Sequence, residues 1–217
     1  MTTLQDMTIG VLGGTGPQGR GLAVRFARAG LRVLLGSRDP DRAVEAATGL
    51  GHGIRGAGNA EVATSADLVV VAVPYAGHSD LLDDLREPLA DKIVVDCVNP
   101  LGFDKQGAYA IRPEAGSAAE EAAAILVDST VVGAFHNVSA VLLEDPEAGS
   151  VDTDVLVLGD VREATDLVAE LAETIPGVRG IYGGRLRNAF QVEALTANLI
   201  SINRRYRAHA GVRMTDV

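Results

Sequence analysis

One short stretch near the start of the chain constrains its fold more than any other. Residues 8–12, T-I-G-V-L, have the β-branched and aliphatic composition of a strand. Gly14, Gly16 and Gly19 follow at the spacing G-x-G-x-x-G and lead into an amphipathic segment. We expect Gly14 to allow a tight turn, Gly16 to let a phosphate approach the backbone, and Gly19 to let the helix pack closely on the strand. Strand, glycines and helix in this order predict a dinucleotide-binding turn.

The rest of the chain continues this pattern. Apolar segments of strand length alternate with amphipathic segments of helix length as far as Ala134. Residues 68–73 are uniformly apolar, which is typical of a parallel strand buried on both faces. The alternation predicts an α/β fold with a doubly wound parallel sheet of the Rossmann type. Residues 49–58, which are rich in glycine, predict a loop, and residues 99–113 predict an irregular segment.

The pattern changes after Phe135, which suggests a smaller second part. We therefore predict a dinucleotide-binding domain over residues 1–137 and a smaller C-terminal α/β domain over residues 138–217. The last element is predicted to be a long helix over residues 186–209. Apolar residues near one face of this helix favour a homodimer. They are Phe190, Ala194, Leu195, Leu199 and Ile202.

Charge and composition argue against several classes of function. A formal net charge of −10 disfavours nucleic-acid binding, because phosphate backbones are held by clustered Lys and Arg. The longest apolar segments have the length of strands and no secretory leader precedes the first of them, so we expect a cytoplasmic protein with no membrane span. Metal-ligand spacing is absent, and the single Cys97 is expected to be a buried, inert thiol.

One segment departs from this acidic character. The C-terminal basic segment, which we define as residues 179–213, carries seven arginines against one acid, Glu193. Two interpretations are open: the arginines pair with acids elsewhere or in a second subunit, or they receive an anionic ligand. The arginines are Arg179, Arg185, Arg187, Arg204, Arg205, Arg207 and Arg213.

The end of the second predicted strand indicates which dinucleotide binds. NAD-selective folds place an acid there, about 20 residues past the glycines, to take the ribose hydroxyls. This chain has Gly36, Ser37 and Arg38 instead. Because no acid repels a 2′-phosphate, and a hydroxyl and a guanidinium are available to hold one, we predict NADP(H) rather than NAD(H).

Ligands of open α/β sheets bind beyond the carboxyl ends of the strands. That rule nominates Pro74 and Asn99 to flank the nicotinamide, although both residue types are also ordinary in turns. No tyrosine has a lysine four residues later, which disfavours a carbonyl reductase and leaves His136 as the one candidate proton donor. An acceptor that takes a hydride without an obligatory side-chain acid suits the chain better.

Four motifs resemble one known family. They are residues 13–23 of the glycine turn, the Gly-Ser-Arg at 36–38, A-F-H-N-V-S-A at 134–140 and V-E-A-L-T at 192–196. Together they resemble the NADPH-dependent reductases of the 8-hydroxy-5-deazaflavin coenzyme F420, over about residues 8–211. The resemblance implies a reversible hydride transfer between NADP(H) and that coenzyme. The coenzyme's phosphodiester and lactyl-oligoglutamate tail is anionic, so the C-terminal basic segment suits it electrostatically.

The resemblance, together with the strand-end rule, also implies roles for particular residues. Those expected to hold NADP(H) are Thr15, Gly16, Pro17 and Gln18 at the pyrophosphate, Ser37 and Arg38 at the 2′-phosphate, and Pro74, Val98, Asn99 and Ala140 at the nicotinamide. Those expected to face the deazaflavin are His136, Val138, Ser139 and Thr196. Two residues depart from the family pattern: many relatives have Thr or His in place of Asn137, and some have Ser in place of Ala194.

Several alternatives stay open from the sequence. His136 aligns or protonates the deazaflavin, or else caps the following helix. An NADPH-dependent imine or pyrroline-carboxylate reductase would share the nucleotide turn, but such enzymes usually continue into a longer helical dimerisation domain than this chain provides after Phe135. A protein that senses NADPH without catalysis is the remaining alternative.

Overall fold

The computed structural model describes residues 3–217. Within them, one eight-stranded sheet has helices on both faces, and a separate hairpin lies beside it. The strands are β1 (Thr8–Leu12), β2 (Arg32–Ser37), β3 (Arg55–Gly58), β4 (Leu68–Val71), β5 (Ile93–Asp96), β6 (Leu101–Asp104), β7 (Gly107–Ala110), β8 (Thr130–Gly133), β9 (Thr153–Leu158) and β10 (Val178–Gly184). The helices are α1 (Pro17–Arg28), α2 (Pro40–Leu50), α3 (Asn59–Ser65), α4 (His78–Asp84), α5 (Arg86–Leu89), α6 (Ala118–Ile125), α7 (Ala140–Glu144), α8 (Arg162–Glu173) and α9 (Ala189–Tyr206).

The order of strands across the sheet is β10-β9-β8-β5-β4-β1-β2-β3. Neighbouring strands are parallel except β8 and β9, which pair antiparallel at Gly133 and Leu158. From β1 the chain adds β2 and β3 on one side of it, and then β4, β5 and β8 on the other side. This reversal opens a crevice at the carboxyl ends of β1 and β4, where such folds bind ligands. The predicted doubly wound parallel sheet is confirmed.

Strand β4 shows why its sequence is uniformly apolar. Its four residues are all fully buried, and successive side chains enter different layers. Leu68 and Val70 belong to the hydrophobic cluster that contains residues of α1 and α8, whereas Val69 and Val71 belong to the cluster that contains residues of α3, α4 and α6. A strand covered on both faces needs apolar side chains at every position.

Two segments that were predicted to be irregular contain strands. The predicted loop over residues 49–58 is wrong in its second half, because β3 forms the edge of the sheet there. A Cβ at Gly56 would lie 2.2 Å from the carbonyl oxygen of Ala43, so α2 rests directly on the strand backbone and glycine replaces the expected apolar residue. Residues 99–113 contain the β6–β7 hairpin, in which Gly102 leaves room for the Tyr109 ring.

Helix α9 is a little shorter than predicted. Residues 186–188 form a 3-10 turn before it, and Arg207 ends it in a left-handed conformation with φ of 52°. Of the predicted apolar residues, only Leu199 is buried, and Ile202 is 39% exposed. After the helix, the chain returns along β9, where the backbone N–H of Asp154 donates to the carbonyl of Val212 at 2.6 Å.

Candidate functional site

The glycine turn lies at the carboxyl end of β1 and is shaped by one left-handed residue and two close contacts. Gly13 has φ of +69°, so the left-handed conformation of the turn falls on Gly13, the residue before Gly14, to which the sequence analysis assigned the tight turn. Gly14 is instead required for packing, since a Cβ there would lie 2.5 Å from the Leu35 side chain. A Cβ at Gly19 would lie 2.6 Å from the Cα of Gly14, so α1 packs closely on the turn at the end of β1, where close packing on the strand itself was predicted.

Gly16 marks the open side of this turn. A Cβ there would meet only the carbonyl oxygen of Gly13, at 3.6 Å. Gly16 precedes α1 in an extended conformation and, as a glycine, has no side chain to cap the helix. The first-turn N–H groups of α1 are therefore free for a ligand. Pro17 takes the first helical position, where its missing N–H costs nothing. Free N–H groups at the positive end of a helix dipole suit a pyrophosphate.

The end of β2 presents a hydroxyl and a guanidinium together. Ser37 is 8% exposed, and its Oγ accepts a hydrogen bond from the backbone N–H of Asp39 at 3.2 Å. Arg38 is exposed and forms no ion pair with any residue from 3 to 217. The neighbouring carboxylate of Asp39 caps α2 by accepting from the N–H groups of Asp41 and Arg42. The arrangement suits a phosphate group.

The central cleft, a cavity of about 240 Å³, lies between this turn, the ends of β5 and β8, and α9. Its walls include seven of the predicted site residues: Gln18, Asn99, His136, Val138, Ser139, Ala140 and Thr196. Asn137, from the predicted segment 134–140, also lines it. Sequence reasoning assigned no role at the site to its other walls, which are Leu199, Ile200, Asn203 and Ala210. Pro74, which is exposed, and Val98, which is 2% exposed, do not line it.

Two backbone carbonyls hold the walls of the central cleft together. Asn99 Nδ2 donates to the carbonyl of His136 at 3.0 Å, and the Thr196 hydroxyl lies 2.9 Å from the same oxygen. Gln18 Nε2 donates to the carbonyl of Phe135 at 3.1 Å. Phe135 has φ of 61°, which is uncommon for a residue other than glycine, and its fully buried ring helps to fix this conformation. The glycine turn, β5, β8 and α9 are thereby linked at one point.

The imidazole of His136 is buried, and neither ring nitrogen has a hydrogen-bond partner within residues 3–217. Burial lowers its pKa to about 4, so the ring is neutral at pH 7. It therefore caps no helix, and a role as an acid would require a protonated ring that this burial opposes. The backbone carbonyl of His136 makes the contacts at the central cleft.

A buried ionisable network lies among α4, β5, α6 and α9, and sequence reasoning missed it. His78 Nε2 lies 2.6 Å from Asp96 Oδ2, with both side chains fully buried. Burial lowers the pKa of His78, but the carboxylates of Asp96, Glu121 and Glu193 together more than offset this, so the pKa is raised overall. Glu193 accepts from the N–H groups of Ala118 and Ala119. The sequence did carry one indication of a buried acid, because Asp96 ends the apolar segment I-V-V-D at residues 93–96.

Three arginines of the C-terminal basic segment pair with acids. Arg179 and Arg213 bind the fully buried carboxylate of Asp154, with Arg179 Nη2 at 2.6 Å and Arg213 Nη1 at 2.5 Å. Hydrogen bonds from the Arg179 guanidinium above all, and also from the Met214 backbone N–H and Arg213, hold the pKa of Asp154 well below its usual range. Arg185 lies 3.4 Å from Asp160. The first interpretation of the segment, pairing with acids, is confirmed for these three arginines.

A family model described as "NADP oxidoreductase coenzyme F420-dependent" matches residues 8–100. The F420-dependent NADP reductase of Methanothermobacter thermautotrophicus is 42% identical to the chain, across all of the chain and 98% of the relative. The chain belongs to the F420-dependent NADP reductase family. The reductase of the same name from Methanocaldococcus jannaschii is 38% identical, across 97% of the chain and 99% of the relative.

Solved structures agree with membership of the F420-dependent NADP reductases. A crystal structure from Arthrobacter sp. FB24, provisionally named an F420-dependent NADP reductase, has a TM-score of 0.84 and 29% identity. The match covers 96% of this chain and 99% of that one. The predicted family is confirmed. In the described part of the chain, no helix is both long and apolar enough to cross a bilayer, and no group of His, Cys, Asp and Glu is arranged to bind a metal.

Proposed function

We propose that the protein transfers hydride reversibly between NADP(H) and coenzyme F420, as a reduced-F420:NADP oxidoreductase. One observation carries the proposal: the turn suited to phosphate and the central cleft adjoin at the carboxyl edge of the sheet. The chain also matches relatives of this name over their full length. When bound, the nicotinamide C4 and the deazaflavin C5 exchange the hydride. The protein's part is to hold the two rings together at the edge of the sheet and to exclude water.

The residues at the nucleotide side fit NADP(H). The open face of Gly16 and the free N–H groups of α1 suit the pyrophosphate, with Thr15, Pro17 and Gln18 in the same turn. Ser37 and the unpaired Arg38 suit the 2′-phosphate. We assign the nicotinamide side to Pro74, Val98, Asn99 and Ala140.

The central cleft fits a polar, planar ring. Asn137 lies on its wall, and its buried Oδ1 has no partner within residues 3–217, so it is available to an N–H or O–H group of a ligand. We assign the deazaflavin to His136, through its carbonyl region, and to Val138, Ser139 and Thr196. Backbone N–H groups near residues 138–140 would offer fixed dipoles to the ring. This chemistry needs no side-chain acid, in keeping with the neutral imidazole of His136.

Three further points belong to the same proposal. Residues 1–137 serve the nucleotide and residues 138–217 shape the deazaflavin site. The protein is a homodimer, which the exposure of Ile202 and Tyr206 on α9 supports. It works in the cytoplasm, which agrees with a single buried cysteine and no disulfide in residues 3–217.

The decisive experiment mixes purified protein, NADPH and oxidised F420, and follows the visible absorbance of the deazaflavin. We expect reduction, and we expect Arg38→Ala to lower kcat/KM for NADPH by about tenfold while leaving the low activity with NADH unchanged. Arg32→Ala, at the opposite end of β2, is the matched control. Saturable NADPH binding with no reduction would favour a sensor, and reduction of a cyclic imine instead would favour an imine reductase.

A further inference from the structure

Three of the four remaining arginines of the C-terminal basic segment line a second cavity. This arginine cleft, of about 650 Å³, lies between the β6–β7 hairpin and the C-terminal end of α9. Arg204, Arg205 and Arg207 line it, and within residues 3–217 none of the three guanidinium groups forms an ion pair or a hydrogen bond. In a chain with a net charge of −10, three neighbouring arginines without partners are an unusual concentration of positive charge.

Two structural features, the helix dipole and a nearby carboxylate, explain only part of this positive charge. Arginine near the end of a helix is favoured by the helix dipole, which applies to Arg204 and Arg205 in the last turn of α9. Arg207 is the C-cap residue, in the left-handed conformation. Within residues 3–217 none of the three guanidinium groups donates to a carbonyl at this helix end, so the dipole alone does not engage their N–H groups. Asp104 is the one carboxylate on the cleft wall, and its Oδ1 accepts from the backbone N–H groups of Gln106 and Gly107 in the hairpin turn.

The arginine cleft and the central cleft share one wall residue. Ile200 lines both cavities, and Thr196 lines the central cleft one helical turn before it. Arg204 follows Ile200 by one more turn, which is a rise of about 6 Å along the helix. A ligand whose ring lies in the central cleft therefore reaches the arginines with a chain that passes Ile200.

Building on the function proposed above, we propose that the arginine cleft binds the anionic tail of the deazaflavin coenzyme. The tail carries a phosphodiester and several glutamyl carboxylates, and guanidinium groups bind both with paired N–H donors. Arg204, Arg205 and Arg207 are then the residues by which the enzyme distinguishes the tailed coenzyme from a deazaflavin without a tail. The hydride transfer itself does not involve them.

The test measures binding by deazaflavin fluorescence, with two probes: F420 and tailless 8-hydroxy-5-deazariboflavin. We expect the wild type to bind F420 about tenfold more tightly than the tailless probe in about 0.05 M salt, and to lose most of this preference in about 0.5 M salt, where exposed charges are screened. The double variant Arg204→Gln/Arg205→Gln should bind both probes alike at either salt concentration. Arg32→Gln, at the opposite edge of the sheet, should keep the preference.

The possible outcomes separate the tail site from the proposed function. If the wild type binds both probes equally in low salt, or if the double variant keeps the preference, the arginine cleft does not bind the tail, while reduction of the tailless probe by NADPH would still support the function. If neither probe binds to the wild type, the function and the tail site both fail. Circular dichroism of the double variant verifies its fold, which the exposed positions of both arginines should leave intact.

Discussion

Glu193 is a carboxyl group that the fold keeps away from water. It is 1% exposed and accepts from the N–H groups of Ala118 and Ala119 at 3.0 and 3.1 Å. Burial raises its pKa from 4.5 to about 7, although these two N–H groups act in the opposite direction. Between these pH values the folded chain keeps a proton that the unfolded chain has lost. Glu193 therefore makes the protein less stable as the pH rises through this window.

Replacing Glu193 with glutamine should remove this pH dependence. We expect the free energy of unfolding of Glu193→Gln, relative to wild type, to rise by up to about 1.4 kcal/mol per pH unit between pH 4.5 and about 7. Urea unfolding at several pH values measures the difference, and Glu170→Gln on the exposed face of α8 is the control for loss of a carboxylate. A constant difference across the window would contradict the assignment. The slope is the test, because a fixed offset also reflects the changed hydrogen bonding.

At the scale of elements, the contact of α2 with β3 holds the loop that carries Arg38. A Cβ at Gly56 would lie 2.2 Å from a backbone oxygen of α2, so Gly56→Ala must displace the helix. We expect a loss of about 2–3 kcal/mol of stability and a higher KM for NADPH. Gly49→Ala in the same helix meets nothing within 4 Å and should gain about 0.5 kcal/mol, because alanine favours helix. Thermal unfolding of the two variants should give shifts of opposite sign.

The same contact shows what the sequence could and could not predict. Elements with apolar periodicity, such as β1, β4 and α1, were predictable because their patterns reflect burial of their own side chains. Strand β3 was not, because its sequence R-G-A-G reflects the approach of another backbone. At the site, the glycine turn and residues 134–140 were predictable as strand ends. Ile200 and Asn203 were not singled out, although they follow Thr196 at helical spacing.

At the scale of the whole molecule, the two predicted parts share one interior. A single hydrophobic cluster contains Phe26 and Phe135 from the first part and Leu143 and Val168 from the second. Arg25, which is 3% exposed, donates from α1 to the carbonyl oxygens of residues 142, 143, 145 and 148. Neither part could expose this surface without a large loss of buried apolar area and paired polar groups. We therefore expect that the two parts divided at residue 137 are not independently stable.

A shared interior predicts one cooperative unfolding transition for the whole chain. In calorimetry the measured enthalpy should equal the van't Hoff enthalpy, and far-UV circular dichroism and tyrosine fluorescence should report the same midpoint. NADPH should raise that midpoint for the entire transition, because binding at the glycine turn stabilises every element that unfolds with it. Two transitions, only one of which moves with NADPH, would mean that β9, α8 and β10 fold independently of the nucleotide-binding part. The central cleft, which draws walls from both parts and is the proposed deazaflavin site, would then require their docking as a separate step.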